Sequence, residues 1–467
     1  MRLDRRLEGD VTMTVTNDIT LHNVPGPTYA ELLDTDRFPV PDILRWRAPW
    51  PIDLAHRIPR ERYLSKQIHL LEDERMWSRV WQMVCRAEHL AKAGDSVLYE
   101  INGREYIVVR VDDASIKAYP NSCLHRGRRL RTSGGKIGKI RCPYHGFTWG
   151  VDGELRSVPT SWDFQGMVDP SCMHLPEIAT GVWQGFVFIN PDPNCEPLEH
   201  YVGRLDQHFQ RLPLNAWSTA VHAAQIVPAN WKVALEAFIE AAHVHATHPQ
   251  TLPGNDPCNS QYDLFDNSVR IITPFGVPSV MVHTEPPPSE QRKMDGMMGR
   301  KSTGNSVVEL APGAHARDTF ADIQRGRMHR AGLATPFSDA EMTDLQTYWL
   351  FPNLLILGAP RGTVFRFRPA GGPDRCIMEI IGLAPPRPGK EDREVPEVTW
   401  LPDGAQWSSD QRLADYELVD QDMSNVIASQ AAMASLRDRP LLLSRYQEAS
   451  IAYFHQLLYD KWLGGVE

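Results

Sequence analysis

Cys123 and His125, followed after sixteen residues by Cys142 and His145, are the side chains of this sequence best suited to hold metal. Two thiolates and two imidazoles presented from paired loops suit either tetrahedral zinc or a [2Fe–2S] cluster in which two His replace two Cys on one iron. Structural zinc sites usually pair like with like, whereas here each loop supplies one Cys and one His, so each loop reaches both irons. The spacing favours the cluster. Gly127 and Gly146 sit where the backbone must approach it closely.

A second group lies downstream. Glu240, His243 and His248 follow Asn230, Trp231 and Lys232 in an apolar-periodic segment that Pro249 stops by biasing His248 away from helical geometry. Glu240 and His243 are three apart and share a helix face. His248 lies five residues past His243, about 140° round an ideal helix, so both reach one ion only if the helix unwinds or bulges between them. Two His and one carboxylate with open positions make the facial triad of a non-haem Fe(II) that activates O2. The carboxylate must come from elsewhere, and Asp422, chosen over Asp420, stands near the start of a late amphipathic segment. His245, three residues before His248, competes as a ligand.

The elements that must position these residues change character along the chain. Residues 1–60 are rich in Pro and charge and read as an extended arm, with Met13 as an alternative start. Apolar residues recur at helical spacing over Leu71–His89, and short β-type runs follow at 96–101, 106–111 and 116–119, separated by turn signals at Asn102-Gly103 and Asp112-Asp113. Asp152-Gly153 marks another hairpin, and the strand-like run 185–190 ends at a Pro-rich breaker, which sets a boundary near 195. Beyond it the pattern predicts helices at 197–212, 230–247, 338–347 and 410–436. Strands are predicted at 218–227, 269–272, 279–283, 347–351, 354–358, 363–368 and 376–383. The fold class is therefore α+β: a β-rich domain over 61–195, then a domain over 196–467 with helices on a mostly antiparallel sheet. Residues 284–337 read as a long loop that, with Met294, Met297 and Met298, either covers an entrance or is a merely variable solvated segment.

Composition narrows the function. With 467 residues, 42% hydrophobic and 23% charged, the chain is globular and has two or three domains. A net charge of −9 without a long run of one sign excludes nucleic acid and anionic membranes as expected partners. No apolar stretch approaches the ~18 residues of a membrane span, and charges occupy the N-terminal positions where a signal peptide is apolar. A cytoplasmic protein is expected. Seven cysteines argue against a disulfide framework, leaving Cys85, Cys172, Cys195, Cys258 and Cys376 as small thiols. His208, His222, His283, His315, His329 and His455 lack ligand-like spacing and read as polar or packing residues.

Asn121 to Gly127 and Cys142 to Trp149 together resemble the Rieske iron–sulfur domain, and the run from Asn230 to His248 resembles the catalytic motif of the Rieske non-haem iron oxygenases, terminal oxygenase α subunits. The resemblance covers about residue 60 to the end. It implies a helix-grip, START-like catalytic domain, one [2Fe–2S] cluster on Cys123, His125, Cys142 and His145, and one Fe(II) on His243, His248 and Asp422. It assigns His243 over His245, and gives Glu240 the part of an acidic bridge to the cluster of a neighbouring subunit. Arg128 and Tyr144 stand where respiratory Rieske proteins carry a disulfide, so the potential is expected toward the low end of a range of about −150 to +300 mV.

The resemblance further implies a head-to-tail homo-oligomer, usually a trimer, with or without a β subunit. No Gly-x-Gly-x-x-Gly fingerprint is present, so electrons from NAD(P)H are expected through a separate reductase, with or without a ferredoxin. The expected reaction is O2-dependent hydroxylation or dihydroxylation of an apolar aromatic or polycyclic substrate, with oxidative O- or N-demethylation as the alternative. Apolar residues around Phe238, over 280–282 and over 348–356 are candidate pocket linings. An electron carrier without oxygenase activity, and a colourless zinc-binding interaction protein, are the rivals from other classes.

Overall fold

The computed structural model describes residues 27–48, 53–169, 172–299, 308–333, 336–358, 360–386 and 394–465. Met13 lies outside them. α1 (Tyr29–Asp34) and α2 (Asp42–Arg45) precede β1 (Arg57–Ile58), α3 (Glu61–Leu64) and α4 (Lys66–Glu72). A β-rich region follows: β2 (Gln82–Arg86), β3 (Asp95–Ile101), β4 (Arg104–Arg110), β5 (Ile116–Pro120), β6 (Gly135–Lys136), β7 (Lys139–Arg141), β8 (Thr148–Gly150), β9 (Leu155–Ser157), β10 (Ala179–Trp183) and β11 (Phe186–Asn190). Asn102 and Gly103 both take positive φ, 48° and 80°, which is what a two-residue turn between twisted strands requires, and they close β3 onto β4. Asp112 turns the chain from β4 into β5 by accepting from the backbone N–H groups of Ala114 and Ser115. The strands form three sheets, ordered β5-β4-β3-β6, β7-β8-β9 and β10-β11-β2. Ile107, Val109, Tyr119, Ile140, Phe147 and Trp149 make a small core that includes Cys123 and Cys142.

The remainder comprises α5 (Leu198–Val202), β12 (Ser218–Val227), α6 (Trp231–Glu236), α7 (Val244–Thr247), β13 (Gln261–Leu264), β14 (Ser268–Thr273), α8 (Glu290–Met297), α9 (Ala316–Arg330) and α10 (Asp339–Thr343). It continues with β15 (Leu345–Leu350), β16 (Leu354–Leu357), β17 (Thr363–Pro369), β18 (Cys376–Ala384), β19 (Thr399–Trp400), α11 (Glu417–Met433), β20 (Leu441–Leu442) and α12 (Ala449–Gln456). Eight strands form one sheet in the order β13-β14-β15-β16-β17-β18-β12-β19, antiparallel except where β19 joins β12. α6 packs on β17 and β18, and α11 packs on α6. Val419, Asp422, Met423, Val426 and Met433 form the buried stripe of α11, at the spacing of one helix face.

Several elements differ from the sequence reading. Leu71–His89 is not one helix: α4 ends at Glu72, and Gln82–Arg86 is a strand paired with β11. Four of its five residues are buried, and a strand covered on both sides has no alternation to distinguish it from a buried helix. The helix expected over 230–247 breaks after Glu236, because later backbone groups find side-chain partners: the Ala241 N–H donates to Tyr262 Oη at 3.0 Å, and Ser450 Oγ donates to the Ile239 carbonyl. Residues 279–283 turn instead of forming a strand. The helix expected over 338–347 stops at Thr343, and β15 starts two residues later.

Residues 27–48 are not an extended arm. Tyr29, Leu33 and Leu44 pack with Ile272 and Ala340, Arg37 is held by Asp339 at 2.8 Å, and Arg270 donates to the carbonyls of Ile43 and Trp46. The 284–337 segment includes two helices, α8 and α9, and Met294 and Met297 are buried with Phe275 and Phe320. These two belong to a core, whereas Met298 is exposed.

The β-rich region is fastened to the large sheet by a buried charge cluster. Arg366 on β17 donates to the carbonyls of Met83 and Val84, Arg368 donates to that of Glu100, and Glu379 on β18 accepts from both guanidinium groups.

Candidate metal centres

α6 carries the chain to Glu236, and a non-helical turn leads on to His243. His243, with φ −59° and ψ −26°, precedes the single turn α7, and His248, with φ −124° and ψ 49°, ends it before Pro249. The two imidazoles therefore flank one turn of helix and face each other, with ring centroids 5.2 Å apart at 82°. α11 brings the third group: Asp422 Oδ1 lies 2.8 Å from His248 Nε2 and 3.5 Å from His243 Nε2. Among the described residues that buried oxygen has no hydrogen-bond partner, although two nitrogens face it. Ligands bound about 2.0–2.2 Å from a metal lie roughly 3 Å from one another, so two nitrogens and an orphaned carboxylate oxygen in this arrangement fit one cation. Among the described residues it is the only group of three or more His, Cys, Asp or Glu that gathers in this way.

The far sides of both rings are fixed. Glu240 Oε1 sits 2.6 Å from His243 Nδ1, and Gln421 Oε1 sits 2.7 Å from His248 Nδ1. With an acceptor at each Nδ1, the proton resides there and Nε2 keeps its lone pair for a metal. Burial opposes protonation of His243, but its hydrogen bond to Glu240 and the nearby carboxylates outweigh burial and leave its pKa raised. Sequence reading missed Gln421; its place beside Asp422 on α11 was the available signal. Asp420 lies apart and accepts from the N–H groups of Trp407 and Ser408 and from Ser408 Oγ. His245 also turns away, with Nδ1 on the Ala242 carbonyl and Nε2 3.0 Å from Cys258 Sγ.

The triad opens on a cleft of about 180 Å³, whose wall includes Val233, Glu236, Ala237, Val426 and Ile451 beside Glu240, His243 and Asp422. Of the expected lining segments only the one around Phe238 reaches that wall, through its neighbours Glu236, Ala237 and Glu240. Phe238 stacks on Phe365 at 4.8 Å, Trp349 and Leu355 are core residues, and Met281 is exposed.

The upstream loops share one construction. Gly127 N–H donates back to the Cys123 carbonyl at 2.8 Å and Gly146 N–H to that of Cys142 at 3.1 Å, with φ of 68° and 75° at the two glycines. A side chain at either φ would strain the turn. Asn121 pins the first loop through four hydrogen bonds, to Glu105, Arg131 and Leu130. Both cysteines are buried, and burial raises the Cys123 thiol pKa. His125 and His145 reach the surface with ring centroids 4.7 Å apart, and Phe147 stacks on His125 at 4.8 Å. No three of these four ligand atoms gather as they would round one ion. A tetrahedral zinc site is therefore disfavoured, whereas a binuclear cluster, with a thiolate pair on one iron and an imidazole pair on the other, needs that separation.

Residues 204–464 match the family model of the ring-hydroxylating α subunit catalytic domain, more than half of the chain. The chain belongs to the Rieske oxygenase α subunits. A Rieske [2Fe-2S] domain model also matches, over residues 80–167. Among similar proteins, the carnitine monooxygenase oxygenase subunit of Acinetobacter pittii is 29% identical over 202 residues, 42% of this chain and 54% of its own length. The benzene 1,2-dioxygenase α subunit of Pseudomonas putida is 29% identical over 189 residues, 39% of this chain and 42% of its own. This α subunit thus spans about half the length of the curated relatives it matches. A solved quaternary ammonium Rieske monooxygenase, described for carnitine oxidation and inter-subunit electron transfer, superposes with a TM-score of 0.60 at 18% identity, covering 87% of this chain and 95% of that one. That likeness is one of fold. The donor sets of this α subunit fit the [2Fe–2S] cluster and the mononuclear non-haem iron of its family. No helix among the described residues is long and apolar enough to cross a membrane.

Proposed function

We propose that this chain is a terminal oxygenase component that uses O2 and electrons from a separate NAD(P)H-dependent reductase to oxygenate a small organic substrate. The reading rests on one observation: His243 Nε2, His248 Nε2 and Asp422 Oδ1 converge at the wall of an open cleft. In it, residues 61–195 form the unit that holds the cluster through Cys123, His125, Cys142 and His145, and residues 196–467 the unit that holds Fe(II) through the triad. When bound, the cluster supplies electrons one at a time and Fe(II) supplies O2 activation.

The chain's own residues set the conditions. Glu240 and Gln421 hold the Nδ1 protons and so aim both Nε2 lone pairs at the ion. Asp422 contributes the negative charge that keeps a divalent cation between two neutral imidazoles. Val233, Ala237, Val426 and Ile451 give the cleft apolar walls that exclude water from a seated substrate. The exposed imidazole edges at the cluster site suit a head-to-tail ring, usually a trimer, in which they meet the Glu240 side of the next copy.

The apolar walls favour ring hydroxylation or dihydroxylation of an aromatic or polycyclic compound. Two carboxylates in the same cleft, Glu240 and Asp422, support a second reading, oxidative N-demethylation of a cationic amine; one relative is named for a monooxygenase of carnitine, itself a cation. The test is iron analysis together with NADH-dependent O2 uptake through a surrogate reductase, over panels of arenes and methylated amines. About three irons per chain and a product carrying oxygen support the reading, with diol mass or released formaldehyde choosing between the two. About two irons and no uptake overturn it in favour of an electron carrier.

A further inference from the structure

Behind the cleft lies a group of titratable side chains that the metal sites do not use. Glu236, the last residue of α6, lines the cleft, and its side chain keeps 13% exposure. Its carboxyl is held from behind by two buried neutral groups: Tyr63 Oη lies 3.0 Å from Oε2 and His455 Nε2 lies 2.9 Å from Oε1. Tyr63 and His455 also join each other at 2.8 Å. Among the described residues no Lys or Arg is paired with this carboxyl. Lys232, on the same helix, is spent on buried Glu72, and Arg62 lies over the ring of Tyr459 at 3.6 Å. Glu448, the remaining charged group acting on it from the α12 side, is a second carboxylate and disfavours ionisation. A carboxyl taken out of water without a counter-charge keeps its proton.

We propose that Glu236 is the proton donor to oxygen in the cleft, with Tyr63 and His455 as the positioning residues that present its carboxylic acid. This rests on the oxygenase reading above. Inserting one oxygen atom consumes O2, two electrons and two protons and yields hydroxylated substrate and water; dihydroxylation consumes the same set and yields a diol. The electrons come from the reductase. One of the two protons comes from Glu236: its O–H bond breaks, the carboxylate remains hydrogen-bonded to Tyr63, and water entering after product leaves restores the proton. Burial pushes the Glu236 pKa up to about 8, against the lowering effects of Tyr63, Lys232 and Arg62, while burial, Arg62 and Lys232 hold His455 well below the usual imidazole range, so it stays neutral.

The test compares wild-type holoenzyme with Glu236→Gln, which keeps the shape and removes the acid. Infrared spectra at pH 6 should contain the carbonyl stretch of a protonated carboxylic acid that disappears through about pH 8 and is absent from the variant. In single turnover of reduced enzyme, product formation should slow ~100-fold or more, and the solvent deuterium isotope effect should vanish. Tyr63→Phe removes a hydrogen bond that lowers the pKa, so it should move the infrared midpoint upward, a shift that a merely structural role would not cause. A variant spectrum equal to wild type, or equal single-turnover rates, overturns the proposal. The two failures are distinguishable: absence of the band overturns the proposal whatever the turnover, whereas a wild type that consumes no O2 with any substrate overturns the oxygenase reading, and the proposal with it.

Discussion

Replacing Asp422 and Asp420 one at a time by Asn tests the assignment of the iron carboxylate, because the two lie one helical half-turn apart and do different work. Asp420 Oδ1 accepts the Trp407 N–H, and Oδ2 accepts the Ser408 N–H at 3.2 Å and Ser408 Oγ at 2.5 Å. Asn keeps the first acceptor and turns the second into a donor, so two hydrogen bonds to a charged oxygen are lost. Such bonds contribute about 1.5–3 kcal/mol each. Asp420 is half-buried, and solvent offsets part of the loss, which leaves about 2 kcal/mol, or a fall of roughly 4–8 °C in Tm. Iron content should not change. Asp422→Asn should do the reverse. Its Oδ1 has no hydrogen bond to lose, so Tm of the metal-free protein should hold, while the neutral amide should release the mononuclear ion and take iron from about three to about two per chain. Metal analysis and differential scanning fluorimetry on the same preparations read both quantities. Loss of one iron in Asp420→Asn with retention in Asp422→Asn would refute the assignment.

His243→Ala should also lower iron to about two per chain, with the visible and reduced-state EPR spectra of the cluster unchanged and product formation lost. Glu240→Gln should keep both metals, yet cluster reoxidation, followed by stopped flow, should slow about 10–100-fold, because Nδ1 of His243 loses a charged acceptor. Asn121→Ala removes four hydrogen bonds at the first cluster loop, so cluster absorbance per chain should fall before catalytic-domain stability does. Glu379→Ala leaves Arg366 and Arg368 buried without their carboxylate and should cost about 3–5 kcal/mol. In the wild type, burial opposes ionisation of Glu379, but the two arginines outweigh it and hold the carboxyl well below its usual range. Its stabilisation is therefore complete above an unfolded pKa of about 4.3 and is lost only as pH falls below that, which melting curves from pH 7 down to pH 3 would detect.

The local signals survived folding where one stretch of chain decides its own geometry. Asn102-Gly103 and Asp152-Gly153 turn between paired strands, and β12 spans the predicted 218–227. The two turns depend on neighbours a few residues away, whereas β12 is legible from its own β-type run although its partner β18 lies far along the chain. The misread segments are those whose partners are distant: Gln82–Arg86 becomes a strand because β11 covers it, and residues 27–48 dock because Asp263, Asp339 and Ile272 wait far along the chain. The helix after Trp231 ends early because Tyr262 and Ser450 capture backbone groups that a helix would have paired.

The sequence by itself determined the chemistry. Cys and His at those spacings, and two His around one turn before a Pro, specify donor types and loop lengths, which are properties of the covalent chain. The sequence already prefers Asp422 to Asp420, but only the tertiary structure shows why the two part: α11, packed against α6, turns Asp422 to the imidazoles and Asp420 to Trp407 and Ser408. The tertiary structure also decided that Gln421 orients His248 and that the cleft is walled from α6, α11 and α12 and not by the apolar runs at 280–282 and 348–356. His455, unremarkable at position 455, acquires a role only by reaching Glu236 across more than two hundred residues. Long-range approach of this kind is fixed by packing, and no spacing along the chain encodes it.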